Sequence, residues 1–157
     1  MKNYIANSEN FDKQFKSLLK NKHKKCVIKS QFDFENVNVS KKIELIKFLI
    51  TNKNLADNIV YKIIFWEKDE VIENFLVSKK YKKMKSYNNG VRPGVIFVEQ
   101  DKLDIEFIDF ILLRHFNFEL AKEPSLNIRV QLFAKFDDDF SILLDIYDDR
   151  GFYAYYL

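Results

Sequence analysis

The chain has 157 residues, of which 47% are hydrophobic and 31% are charged. This composition is typical of one globular domain and not of a disordered chain. The single cysteine excludes an internal disulfide and any zinc site built from several cysteines. A polar segment follows Met1, and the apolar runs are short and interrupted by charges, so we expect neither a secretory signal nor a membrane span. We therefore expect one domain over residues 1–157, located in the cytoplasm.

Charge is divided unequally along the chain, although the net charge is only +3. Residues 1–89 contain 19 basic and 10 acidic residues, a net of +9, whereas residues 90–157 contain 7 and 13, a net of −6. Such an asymmetry suggests a charged partner, with two differently charged solvated surfaces as the simpler alternative.

The first half of the sequence predicts helices and strands in alternation. A stripe of apolar residues favours a helix over 8–20, and the next apolar stretch a strand over 25–34. A second helix is predicted over 40–52. Residues 58–66 are β-branched and aromatic with little polar alternation, which indicates a central strand covered on both faces. Asp69 can begin a third helix that frays into a run of lysines.

The second half begins with a loop over 88–94, rich in glycine and asparagine, and a short buried strand. Asp104 opens the clearest helix, which the sequence around Pro124 ends. Three strands are predicted next, over 127–136, 140–147 and 152–157. The expected fold class is therefore α+β (mixed α/β): a mainly antiparallel sheet with a C-terminal β-meander, packed against about four helices.

The sequence Asp148-Asp149-Arg150-Gly151 lies between the last two predicted strands. A type I turn favours Asp at its first position and Gly at its fourth, where the backbone requires a positive φ. Turn geometry therefore explains Asp148 and Gly151. Asp149 and Arg150 stay available for recognition or for a supporting ion pair.

Acidic residues also cluster in the preceding turn, Asp137-Asp138-Asp139. This run lacks the spaced ligands, central glycine and distal glutamate of a calcium loop. In a meander the two acidic turns lie at opposite ends of the shared strand, so their carboxylates are not expected to share one ion. We expect no metal and no cofactor.

The residues that most often carry out catalysis are scarce. His23 lies among lysines, His115 lies near the end of a helical core face, and Cys26 begins an apolar strand. None of them has a nearby nucleophile and orienting acid, so the sequence does not favour a catalytic triad. A non-enzymatic function is therefore expected.

Lysines and one tyrosine alternate in the run Lys79–Lys85, which interleaves Tyr81 with five lysines. This run could bind a nucleic-acid backbone while a base stacks on the tyrosine ring. The alternative is a solvated helix end. Nucleic-acid binding is thus a second functional hypothesis, and a metal-dependent enzyme that uses the acidic turns is a third.

The C-terminal half resembles the bacterial domain-of-unknown-function 3885 family. The resemblance is carried by Asp104-Ile105-Glu106-Phe107, Asn117-Phe118, Pro124 and, most specifically, the stretch Ile146 to Gly151. It implies a small α/β domain and no particular activity.

The leading hypothesis is a cytoplasmic immunity protein that binds and neutralises a bacterial toxin through an acidic surface. Nuclease toxins must be basic to hold phosphates, so their inhibitors present carboxylates. Aromatic side chains beside the second acidic turn are expected to be exposed anchors. The predicted partner-binding residues are Asp137, Asp138, Asp139, Asp148, Asp149, Arg150, Tyr147 and Tyr153, with Phe152 and Tyr155 as further aromatic candidates.

Overall fold

The described part of the chain contains three helices and seven strands. This computed structural model describes residues 13, 28–33, 37–51, 58–66, 70–79, 82–87, 93–135, 141–148 and 151–156. The helices are α1 (Val39–Thr51), α2 (Glu70–Lys79) and α3 (Ile105–Glu119). The strands are β1 (Ile28–Asp33), β2 (Asn58–Phe65), β3 (Lys82–Tyr87), β4 (Gly94–Gln100), β5 (Ile128–Lys135), β6 (Ser141–Ile146) and β7 (Gly151–Tyr156). The helix predicted over 8–20 lies outside the described residues, apart from residue 13.

All seven strands belong to one sheet, in the order β1-β7-β6-β5-β2-β4-β3, and every neighbouring pair is antiparallel. The predicted α+β class is therefore confirmed, as is the C-terminal meander of β5, β6 and β7. Strand β2 pairs with β4 on one side and β5 on the other. Its continuous run of apolar residues had indicated this central position.

The sheet has two chemically different faces because side chains alternate along each strand. On the first face, Ile59, Tyr61 and Ile63 of β2 pack with residues of α1, α2 and α3 in the main core. On the second face lies a smaller apolar cluster that includes Val60 and Phe97. All three described helices contribute residues to the main core and so cover the first face. On the second face lie the buried polar residues Glu99, Gln131 and Asp145.

Helix α3 begins where its sequence predicts. The side chain of Asp104 accepts a hydrogen bond from the backbone N of Phe107 at 3.2 Å. Such a cap satisfies one of the backbone donors that a helix leaves unpaired at its start. Near the other end of the helix, buried His115 places Nδ1 2.6 Å from the carbonyl oxygen of Ile128. This contact fixes α3 against the start of β5.

Strand β3 corrects the sequence-based interpretation of the lysine run. We predicted a fraying helix end, but α2 ends at Lys79 and the chain re-enters the sheet at Lys82 as an edge strand. The register against β4 shifts between Lys83 and Lys85. Lysines and irregular register are both common on edge strands, where they oppose pairing with other chains. Nucleic-acid binding by this run stays an alternative prediction.

Tyr61 is a buried polar residue in the middle of the core. It is 1% exposed, its ring centroid lies 4.8 Å from that of Phe107, and its hydroxyl has no hydrogen-bond partner among the described residues. Burial raises the pKa of the Tyr61 hydroxyl well above its usual value, and the negative charge of Asp104 raises it further.

Replacing Tyr61 by phenylalanine should therefore leave the free energy of unfolding at pH 7 unchanged or raise it by up to about 1 kcal/mol, since an unpaired buried hydroxyl is removed. The folded-state pKa of Tyr61 is raised, so its contribution to stability is complete below pH 10 and declines as the pH rises further. Urea unfolding between pH 7 and 11 should show a smaller alkaline loss in the variant. A parallel loss in both proteins would contradict this assignment.

Candidate functional site

A cavity of about 280 Å³ opens at one end of the sheet, and we call it the Arg129 cavity. It lies where β2 ends, β5 begins and β6 ends. The backbone N of Trp66 donates to the carbonyl oxygen of Asn127 at 3.1 Å, which extends the pairing of β2 with β5 beyond Phe65. This bond places the indole beside the start of β5. The lining residues are Trp66, Glu119, Asn127, Ile128, Arg129 and Tyr147.

Arg129 forms a bidentate ion pair with Asp145. Its Nη2 lies 2.7 Å from Oδ2 and 2.9 Å from Oδ1, and its Nε lies 3.1 Å from Oδ1. Gln131 Nε2 also donates to Asp145 Oδ1 at 3.3 Å. Such paired bonds fix the plane of a guanidinium group. Asp145 therefore orients Arg129, and Nη1 donates to no acceptor in the described part of the chain.

Exposure separates the two charged partners. The side chain of Asp145 is 8% exposed, whereas that of Arg129 is 38% exposed. The carboxylate is thus a buried counter-ion on the second face of the sheet, and the guanidinium reaches from it toward the cavity. A buried carboxylate is tolerated because it is both paired and hydrogen-bonded.

Three tyrosines continue the site along the second face of the sheet. The ring centroids of Tyr147 and Tyr153 lie 5.2 Å apart, and those of Tyr153 and Tyr155 lie 6.4 Å apart. Tyr147 and Tyr153 are half-buried. Burial raises the pKa of the Tyr155 hydroxyl, and the charge of Asp145 raises it further. Tyr155 is therefore a neutral phenol at physiological pH.

Two of the eight predicted partner-binding residues, Tyr147 and Tyr153, contact each other at this site. Asp148 follows Tyr147 and is half-buried. The other five predicted residues lie outside the described residues: Asp137, Asp138, Asp139, Asp149 and Arg150. The site thus includes part of the surface that the sequence indicated beside the second acidic turn.

The two acidic turns precede and follow β6 at its opposite ends in the chain: one joins β5 to β6, and the other joins β6 to β7. The first turn connects strands that pair at Lys135 and Ser141, and the second connects strands that pair at Ile146 and Phe152. At about 3.4 Å per residue, β6 separates these ends by roughly 17 Å. The described strand ends next to the two turns are therefore too far apart for one small ligand to contact both ends.

The expectation that Phe152 and Tyr155 are exposed anchors is wrong. Phe152 is 0% exposed and Tyr155 is 5% exposed. Strand β7 lies between β1 and β6, so neither of its long edges is free. Phe152 packs into the main core and Tyr155 into the cluster on the second face.

Sequence reasoning missed four lining residues with polar or aromatic side chains: Trp66, Glu119, Asn127 and Arg129. They lie on β2, α3, β5 and the segments next to them, and only the pairing of β2 with β5 brings them together. The one available signal was Trp66, the single tryptophan of the chain, at the end of a strand.

Within the described ranges, no group of three or more His, Cys, Asp or Glu side chains could hold a metal ion. None of the three described helices is long and apolar enough to cross a membrane. No protein-family model, no curated protein and no solved structure matches the chain.

Proposed function

We propose that this chain is a non-enzymatic protein-binding protein, and specifically a cytoplasmic immunity protein that neutralises a bacterial toxin. The observation that supports binding is the grouping of Trp66, Arg129 and Tyr147 around one cavity. Trp, Tyr and Arg are the residues that most often dominate the affinity of protein interfaces. Trp66 is 39% exposed at this cavity, so its indole is accessible to a partner protein.

The charges around this aromatic centre favour a basic partner. Glu119 is exposed at the cavity, and Asp148 follows Tyr147. The positive charge of Arg129 is neutralised by Asp145. An acidic rim accelerates association with a basic surface, such as that of a nuclease, because long-range attraction steers the encounter. We include in this proposal the resemblance to the domain-of-unknown-function 3885 family, which is bacterial and therefore agrees with a role against bacterial toxins.

Replacing Trp66 by alanine should weaken toxin binding by at least about thirtyfold, as expected for the central residue of an interface. The first partner to test is the protein encoded by the adjacent upstream gene. If that protein is secreted and has a variable C-terminal domain, co-expression of this chain should protect cells from that domain. Affinity can be measured by calorimetry with the purified domain.

Val77→Ala is the matched control for Trp66→Ala. Val77 is 77% exposed on α2, so its truncation should change neither folding nor binding. Equal affinity of the Trp66 variant and the wild-type protein would remove the Arg129 cavity from the interface. Failure to protect cells from that domain would contradict the immunity proposal.

Reversing the charges of Asp137, Asp138 and Asp139 tests the other acidic turn. If it belongs to the interface, association with the toxin should slow at low salt, and the difference should shrink at high salt. Stopped-flow measurement of the association rate at two ionic strengths decides this. Identical rates would restrict the interface to the end of the sheet that contains Arg129.

A further inference from the structure

We infer that the Arg129 cavity accepts a cationic side chain of the partner, a lysine or an arginine, between Trp66 and Tyr147 and against Glu119. This inference rests on the proposed function and names the chemistry of its central contact. It follows from three properties of the cavity: its net charge, its aromatic walls and its size.

Charge within the cavity is negative despite the presence of an arginine. Two nitrogens of Arg129 bind the carboxylate of Asp145, so this pair contributes little net charge. The remaining charged lining residue is Glu119, which is exposed and forms no hydrogen bond or ion pair with any described residue. An incoming cation therefore gains a carboxylate partner without displacing an existing one.

The walls of the cavity suit a cation as well. Tryptophan is the aromatic side chain that attracts cations most strongly, and tyrosine does so through the same ring quadrupole. Trp66 and Tyr147 both line the cavity. The same chemistry occurs elsewhere in the fold, where the guanidinium of Arg114 lies 3.9 Å from the ring centroid of Phe110.

An anionic side chain fits the cavity poorly. A carboxylate would meet the like charge of Glu119. Arg129 offers it little net attraction, because the charge of the guanidinium is already paired with Asp145. The volume of about 280 Å³ is just below the usual range for small-molecule sites and suits a single side chain.

The experiment uses Trp66 as the reporter, because it is the single tryptophan in the chain and lines the cavity. The probes are three acetylated, amidated tripeptides with arginine, citrulline or glutamate between two glycines. Citrulline has the shape of arginine without its charge. The arginine peptide should produce a saturable change in tryptophan fluorescence at millimolar concentration, and the other two peptides should not.

Replacing Glu119 by glutamine should weaken binding of the arginine peptide by about twofold to fivefold, since one exposed charge pair is lost. Glu70→Gln is the matched control, because it removes the same charge from an exposed residue on α2 that does not line the cavity. Thermal unfolding should show that both variants fold, as both glutamates are exposed.

Three outcomes would overturn the inference: no saturable response to the arginine peptide, an equal response to the citrulline or glutamate peptide, or unchanged affinity in Glu119→Gln. The titration needs no toxin, so its failure is distinguishable from failure of the proposed function. Binding of the arginine peptide without any protection from the toxin would support the cavity chemistry and contradict immunity.

Discussion

Replacing Phe107 by alanine should lower the free energy of unfolding by about 3–5 kcal/mol, the range for deleting a fully buried aromatic ring. Phe107 is 0% exposed and lies where α3 packs against α2 and β2. Its ring centroid is 4.8 Å from that of Tyr61 and 5.8 Å from that of Phe75. The alanine variant loses these contacts and leaves a cavity that three elements must close. Urea unfolding measures the loss.

Ile105→Ala is the control for Phe107→Ala, since it lies two residues earlier in the same helical turn and is 55% exposed. Its effect should be below about 0.5 kcal/mol. Phe107→Leu should fall between the two because it retains part of the buried volume. A loss below about 1.5 kcal/mol in Phe107→Ala would contradict the packing of α3 described above.

Replacing Arg129 by alanine should lower the free energy of unfolding by about 2–3 kcal/mol. Removing one partner of a buried ion pair typically costs about 3–5 kcal/mol because the other charge stays uncompensated. The lower value is expected here because Arg129 is partly exposed and Gln131 still donates to Asp145. Asp145→Ala should cost less, since the guanidinium that it leaves behind can be solvated.

A double-mutant cycle separates the ion pair from the packing of its two side chains. As a separate test, the double variant Arg129→Met with Asp145→Leu should recover most of the stability lost in Arg129→Ala, because no buried charge is left. Lys47→Ala provides a control, as its bond to Asp109 lies at the surface and should contribute below about 1 kcal/mol. Equal effects of Arg129→Ala and Asp145→Ala would contradict the asymmetry in burial.

The local elements of this protein are determined largely by its sequence. The apolar, β-branched run of β2 fixes its burial on both faces and hence its central position. Asp104 determines the start of α3, because a side-chain acceptor there satisfies a free backbone donor. Strand β3 was not predictable in the same way, since its lysines suit a solvated helix end equally well. The tertiary structure favours the strand over the helix end, because the free edge of β4 supplies backbone hydrogen-bond partners.

The candidate site, in contrast, depends on tertiary structure. Tyr147 and Tyr153 could be proposed because they flank a recognisable turn, a local feature of the sequence. Trp66 and Arg129 lie 63 residues apart and meet because β2 and β5 are neighbours, although α2, β3, β4 and α3 lie between them in the chain. Which aromatic rings are buried is also a tertiary property: Phe152 packs into the main core and Tyr155 into the cluster on the second face. A sequence pattern specifies which residues share one face of a strand. The order of the strands in the sheet specifies which of those residues become neighbours.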